Sequence, residues 1–447
     1  MKQSEFGAII LAAGKGTRMK SSLPKVLHEI AGQPMLGYAV QAAMAAGAGH
    51  IYLVSAPDQD NVRAYADDLD VALTHCIQTE QNGTGDAVRA AVQEISAQAE
   101  APERLIVMFG DTPLMRAPVL QELAQAEGDI AVLGFEPADA AAYGRVVLDA
   151  AGAPEKITEF KDADEATRQI GLCNGGAMGI TQACLIALLP QLNNDNAQGE
   201  YYLPDLVGLA RQAGHSTCLV MAGVEDTLGV DGRAGQAKAE KLMQQRLRAG
   251  FLDAGVAMQD PESVFFSFDT HISEEVVIEP HVKINPGVRI GRGTLIKAFS
   301  HLEGVEIGAA AQIGPYARLR PGTIVEDEVK IGNFVETKKA HIGVGAKISH
   351  LSYIGDAELG PDVNIGAGTI TCNYDGFNKH ITQIGAGAFI GSNSSLIAPV
   401  KIGAGAYLGS STAVAKDVPD DALVVTRAPE RTIEGWGAKF RNKHKQK

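Results

Sequence analysis

Ile272, Ile278, Ile284, Ile290 and Ile296 stand six residues apart, and the same beat returns at Ile307, Ile313, Leu319, Val325 and Ile331. It resumes at Ile342, Ile348 and Ile354, then at Ile384, Ile390, Leu396, Ile402, Leu408 and Val414. A period of six matches neither the α-helical turn nor simple strand alternation; it is the signature of a hexapeptide parallel β-helix. In such a solenoid each apolar residue points into the axis of a triangular coil. The glycine that often follows it (Gly291, Gly308, Gly314, Gly332, Gly343, Gly385, Gly403) is expected to permit the corner backbone. The beat stops over Thr371 to Thr382, TCNYDGFNKHIT, which reads as a loop on one face and a candidate ligand-binding loop.

The chain ahead of this repeat obeys other rules. Ala8-Ile9-Ile10-Leu11, Ile51-Tyr52-Leu53-Val54, Leu105-Ile106-Val107-Met108 and Ile130-Ala131-Val132-Leu133 are short apolar runs, each separated from the next by room for a crossover helix. They predict a mostly parallel sheet with helices on both faces. Ala234 to Leu252 is rich in helix formers and free of proline, so it reads as a connecting helix. The expected division is therefore an α/β domain over 1–233, a linker helix over 234–253 and a β-helix over 254–447. A chain of 447 residues is too long for one ordinary core, and 45% hydrophobic with 21% charged residues fits a folded protein.

A net charge of −14 argues against a general nucleic-acid binder, whose phosphate partner rewards clustered Lys and Arg. The basic run from Lys439 to Lys447 reads as a solvated tail. Five cysteines without a CxxC pair give no disulfide framework or zinc cluster, which points to a reducing compartment and a cytoplasmic protein. No apolar run approaches the ~18 residues of a membrane span, so neither export nor a membrane is expected.

After the first strand comes Leu11-Ala12-Ala13-Gly14-Lys15-Gly16-Thr17-Arg18-Met19, then Leu23-Pro24-Lys25. Glycines between strand and helix let backbone N–H groups approach phosphates, and Arg18 and Lys25 bring positive charge. The spacing is neither GxGxxG nor a P-loop. The full string GxGTRM…LPK resembles the signature of the sugar-nucleotide pyrophosphorylases, as do the segments Gln78–Thr84, Phe109–Leu114 and Asn196–Tyr202. Asp111 ends a strand, where open α/β sheets place ligands and a carboxylate can hold Mg²⁺; its plainer reading is a helix cap.

With the second half included, the chain resembles, from end to end, the bacterial bifunctional N-acetylglucosamine-1-phosphate uridyltransferase/glucosamine-1-phosphate acetyltransferase family. The strings that carry the likeness are Arg318–Gly322, Gly332–Glu336, His350–Asp356 and Asn364–Gly376. The resemblance implies a Rossmann-like nucleotidyltransferase domain, a left-handed β-helix, a homotrimer, and synthesis of UDP-N-acetylglucosamine for the cell wall and lipopolysaccharide. It implies UTP as nucleotide donor, acetyl-CoA as acetyl donor and Mg²⁺ as cofactor.

Carried over residue by residue, the uridylyl site comprises Leu11, Ala12, Ala13, Gly14, Arg18, Lys25, Gln78, Gly83, Thr84, Gly110, Asp111, Gly144, Glu159, Asn174 and Asp231. Gln78, Gly83 and Thr84 fall to uracil, Gly144, Glu159 and Asn174 to the sugar, Lys25 to the phosphates, and Asp111 with Asp231 to the metal. In the acetyl site His350 is the general base, with a pKa suited to taking an amine proton near neutrality, and Glu336 orients it. Arg320, Lys338, Tyr353 and Asn364 fall to glucosamine-1-phosphate. Ala367, Asn373, Tyr374, Ser392, Ser410 and Arg427 fall to acetyl-CoA.

Where the family commonly carries Asn in GVNxR, this chain has Gly229-Val230-Asp231-Gly232-Arg233. Asp231 is still an oxygen ligand, and a second carboxylate strengthens the pull on Mg²⁺. Two rivals remain at this level: a single-function nucleotidyltransferase whose β-helix only stacks subunits, and a non-catalytic scaffold on the same architecture.

Overall fold

The computed structural model describes residues 6–98, 101–426 and 429–445, and the chain divides into two compact units, Met1–Arg246 and Leu247–Lys447. The helix Arg233–Asp253 carries the boundary between them. Among the described residues no helix is long and apolar enough to cross a membrane.

In the first unit the apolar runs are strands because both of their faces are covered. Phe6–Leu11 is buried at every position. Ile9 and Leu11 share one core with Tyr52, Val54 and Val107, packed by the helices Thr84–Ser96 and Asp205–Gln212. Ala8 and Ile10 share the opposite core with Ile51, Leu53 and Met108, packed by Met35–Ala45 and Ala117–Gln125. The alternation along one strand thus feeds two layers of helices.

The strand order is Thr217–Met221, Ile130–Phe135, Cys173–Thr181, Arg104–Phe109, Phe6–Leu11, Ala48–Ser55, Leu73–Ile77. All neighbours are parallel except Cys173–Thr181, which is antiparallel on both sides. The apolar runs do not reveal that strand, since CNGGAMGIT is broken by three glycines and its register slips between Asn174 and Met178. Phe6–Leu11 lies between its successor Ala48–Ser55 and the later Arg104–Phe109, so the order reverses there. The crevice at such a switch point is where open α/β sheets hold ligands.

In the second unit Ile290 pairs with Ile307, Ile307 with Val325 and Val325 with Ile342, so one coil takes seventeen or eighteen residues. A second face runs through Ile296, Ile313, Ile331, Ile348, Ile365, Ile390 and Leu408. A third runs through Ile284, Leu302, Leu319, Thr337 and Ile354. These aliphatic side chains belong to a single axial core. Leu302 keeps the count of six from Ile296, and the side after it is a residue short, so Ile307 follows by five; Leu359 likewise follows Ile354 by five, an in-pointing position that a strict count of six passes over.

The interruption is narrower than the broken beat indicates. Thr371 and Thr382 are buried and keep inward positions in their ladders, and Thr371 Oγ1 accepts from Gly355 N–H at 2.8 Å. Leu359 pairs with Ile384 instead of a residue one ordinary coil on, and the surplus forms a loop over 373–381.

The glycines after the isoleucines also serve a different purpose from the one expected. Gly314 alone of the seven has a positive φ; left-handed corners are taken instead by residues such as Glu275, Phe299, Tyr316, Phe334 and Asp362. A Cβ on Gly343 would lie 2.7 Å from the Gly360 carbonyl carbon and 2.8 Å from the Leu359 oxygen. The requirement is close approach of neighbouring coils, not backbone freedom.

Gly343→Ala forces one coil away from the next, a cost of roughly 1–3 kcal/mol for overpacking. Its thermal unfolding, followed by circular dichroism, is expected to begin at lower temperature than the parent's.

Candidate active sites

The switch point opens into a cavity of about 730 Å³. Leu11, Ala12, Ala13, Gly14, Lys25, Gln78, Gly83, Thr84, Asp111, Gly144, Glu159, Asn174 and Asp231 all line it. Of the residues assigned to this site, Gly110 and Arg18 are not among the lining: Gly110 lies against Val26, and the exposed Arg18 holds Asp231 at 2.9 Å.

Local structure explains each placement. Gly83 has φ +105°, and a Cβ there would lie 2.7 Å from the Tyr201 carbonyl oxygen, so only glycine lets the chain enter the helix Thr84–Ser96 at this point. The Thr84 hydroxyl accepts from Leu203 N–H at 3.0 Å. Gln78 donates to Asp86 at 2.8 Å and to the Gly83 carbonyl at 3.2 Å. Asn174 N–H donates to the Gly144 carbonyl at 2.9 Å, and a Cβ on Gly144 would sit 3.1 Å from Glu159 Oε1. The cavity wall at Gly144 is therefore bare backbone beside a carboxyl.

Two electrostatic groupings stand out. The Lys25 ammonium lies between two carboxylates, paired with Asp111 and 3.6 Å from Asp231. Asp111 and Asp231 are hard oxygen donors facing one point, which fits the chemistry of Mg²⁺, an ion that takes one or two carboxylates and completes its shell with water and phosphate oxygens. The second grouping is acidic. Burial, then Asp205 and Asp162, raises the Glu159 pKa, and burial followed by Asp162 pushes Asp205 up to about 6.

In the β-helix the assigned residues come from successive coils. Arg318 pairs in register with Glu336 and Glu336 with Tyr353, while Lys338 pairs with Gly355. The strands Glu336–Ile342 and Tyr353–Leu359 run unbroken around a corner, with φ 45° at both Lys339 and Asp356. Asn333 pairs with His350, whose Nδ1 lies 2.6 Å from Asn333 Oδ1. An amide oxygen accepts the Nδ1 proton, which leaves Nε2 with the lone pair that a base needs. Glu336 does not hold the ring as expected; it binds Arg320 at 2.8 Å and lies 3.7 Å from Arg318. Position along the sequence brought Glu336 to notice, but the coil register gives His350 to Asn333. Asn364 is in register with Lys347, three residues before His350.

The loop is closed by its own hydrogen bonds. Asp375 accepts from the backbone N–H of Asn378, from His380 and from the backbone N–H of Phe377, which together hold its carboxyl far below the usual range. Asn373 is buried with its amide on Asp356, whereas Tyr374 is exposed and donates to the Gly376 carbonyl. Lys379, in the candidate binding loop but given no role there, is the first cause of a lowered pKa at Lys338, with Arg320 a further one. Arg320, Lys338 and Lys379 thus gather positive charge as an anionic ligand requires. Asn393 N–H donates to Ala367 and Ser411 N–H to Ser392, both at 2.7 Å. Ala367, Ser392 and, on the coil after, Ser410 therefore follow one corner along the prism axis. Arg427 lies outside the described residues.

The sequence of residues 8–171 matches the family model of the MobA-like NTP transferase domain. The chain is 54% identical over 444 residues to the bifunctional protein GlmU of Parvibaculum lavamentivorans, covering 99% of this chain and 97% of that one. It is 47% identical to the GlmU of Azorhizobium caulinodans over 99% and 98% of the two chains, and 44% identical to that of Zymomonas mobilis over 99% of each.

The acidic grouping carries a pH prediction. Asp205 loses its proton near 6 in the folded unit but near ~3.9 once unfolded, so between those values the native state holds more protons and stability falls as pH rises. In Asp205→Asn this loss, on the order of 2 kcal/mol, is absent. The gap in thermal midpoint between variant and parent is expected to widen in the variant's favour from pH 4 to pH 7.

Proposed function

The chain belongs to the family of bifunctional GlmU proteins, and from that premise we propose that its two units carry two successive steps on one sugar phosphate. The protein is a uridyltransferase and a glucosamine-1-phosphate acetyltransferase that uses UTP, acetyl-CoA and Mg²⁺. The β-helix, of the left-handed kind, carries acetyl transfer and the α/β unit carries uridylyl transfer.

In the acetyl step His350 Nε2 takes a proton from the amine of glucosamine-1-phosphate as the nitrogen attacks the thioester carbonyl of acetyl-CoA. The C–S bond then breaks, and coenzyme A leaves as a thiolate that picks up a proton. The Asn333 amide keeps the base in the right tautomer. Arg320 and Lys338 hold the sugar phosphate, with Lys379 beside them, and Tyr353 and Asn364 hold the sugar. The corner column of Ala367, Ser392 and Ser410 takes the extended acetyl-CoA together with Asn373 and Tyr374, mainly through backbone and packing.

In the second step a phosphate oxygen of N-acetylglucosamine-1-phosphate attacks the α-phosphorus of UTP and pyrophosphate departs in line, so the protein's work is positioning and charge neutralisation. Gln78, Gly83 and Thr84 face uracil, Gly144, Glu159 and Asn174 the sugar, and Lys25 and Arg18 the phosphates. Asp111 and Asp231 would hold Mg²⁺, which would supply positive charge to offset that of the phosphates. The observation that carries this reading is the ammonium of Lys25 seated between those carboxylates at the sheet's switch point.

We also propose a homotrimer in the cytoplasm. Phe389, Tyr407 and Leu423 are exposed and in register on one β-helix face, a surface suited to cover by a second copy. The cysteines are free, which suits a reducing compartment, and burial pushes Cys76 up to about 12 and Cys184 to about 11, so both stay protonated near neutrality.

Separate sites make separable variants. His350→Ala is expected to slow acetyl transfer by roughly 10²–10⁴-fold, the usual worth of a general base, and to leave uridylyl transfer intact. Asp111→Ala is expected to do the reverse. Assays of coenzyme A release and pyrophosphate release on one preparation of each variant decide it; parallel loss of both activities in either would refute the assignment.

A further inference from the structure

Asp111 and Asp231 lie on different loops: the turn after the strand Arg104–Phe109, and the segment that follows the strand Thr217–Met221. An ion that demands near-ideal geometry binds such a pair only if something keeps the loops at a set distance. Arg116, five residues beyond Asp111, reaches Asp226, five residues before Asp231. Its Nε lies 2.6 Å from Oδ1 and its Nη2 lies 2.7 Å from Oδ2. Both carboxylate oxygens are engaged, and the Asp226 side chain is 1% exposed. A two-point fork of this kind fixes orientation as well as distance.

The surroundings are rigid on both sides of the pair. Arg116 precedes the helix Ala117–Gln125, and Val119 N–H donates to its carbonyl at 3.1 Å. On the other loop, a Cβ on Gly223 would lie 3.1 Å from Asp226 Oδ2, so the carboxylate is packed against bare backbone. Val230 N–H donates to the Asp111 carbonyl at 3.0 Å, which links the two loops directly beside both carboxylates. Arg246 adds a second strut, donating to the Leu114 carbonyl at 3.1 Å and facing Glu225 at 3.9 Å. Neither Arg116 nor Asp226 lines the cavity.

We propose that the Arg116–Asp226 ion pair is a positioning device for the metal site, holding Asp111 and Asp231 at the separation that a divalent cation requires. The inference rests on the assignment of those two carboxylates to Mg²⁺. Without the arginine, Asp226 is a buried carboxylate with no partner, and the loop that carries Asp231 shifts to relieve it.

The test is a titration of the full-length chain with Mn²⁺ alone, read as loss of the free-ion electron paramagnetic resonance signal. Arg116→Gln is expected to weaken Mn²⁺ binding by about tenfold, in the range found for outer-shell partners of metal ligands, and Arg116→Lys by less. Binding of UMP in the presence of a chelator, and acetyl transfer by the β-helix, are expected to stay at parental levels in both variants. Asp111→Asn is the reference. Unchanged Mn²⁺ binding in Arg116→Gln with weakened binding in Asp111→Asn overturns the clamp and leaves the metal assignment standing. Unchanged binding in Asp111→Asn overturns the metal assignment itself. Loss of UMP binding in step with Mn²⁺ binding in both Arg116 variants makes the pair a general scaffold and overturns the proposal as well.

Discussion

One aliphatic side chain per six residues must leave water, and the only direction open to it in this repeat is the axis of a coil. Neighbouring coils then stack at the spacing of hydrogen-bonded strands, about 4.8 Å, with bare glycines such as Gly291 and Gly343 where the backbones come closest. Such stacking turns a sequence interval of seventeen or eighteen residues into direct adjacency. Asn333 meets His350 for this reason, and Arg318, Glu336 and Tyr353 form a row for the same reason. The contact of His350 with Asn333 is a consequence of the column behind it: any slip in the ladder would separate the imidazole from the amide that sets its tautomer.

The first unit reaches the same end by another constraint. Its strands are buried on both faces, so no side chain in the middle of the sheet is free for chemistry, and function moves to the strand ends. Phe6–Leu11 and Arg104–Phe109 deliver a glycine-rich loop and a carboxylate to the same crevice from segments about a hundred residues apart. A net charge of −14 still leaves room for local positive charge there, because Lys25 and Arg18 act locally against Asp111 and Asp231. Screening in water confines such forces to about 10 Å, so the arrangement of these four groups outweighs the total charge.

Much of this was legible beforehand. The beat of six, the strand-forming runs and the motif strings needed no coordinates, because each depends on residues a few positions apart. The glycine loop and Asp111 were singled out through local strings of the same kind, and both line the cavity at the switch point. What escaped was set by distance along the chain: the reversed strand Cys173–Thr181 is written in glycines, the approach of the loop's Lys379 to Lys338 spans two coils, and Glu336 looked like the partner of His350 until the ladder paired it with arginine.

Sequence alone therefore determined the two architectures, since hydrophobic period and local motifs are short-range properties. Tertiary structure decided which side chain touches which. Asn333 on His350, Lys25 between Asp111 and Asp231, and Arg116 on Asp226 are contacts between segments that only strand register and loop packing bring together. No local pattern encodes those distances, because they follow from the burial of residues elsewhere in the chain.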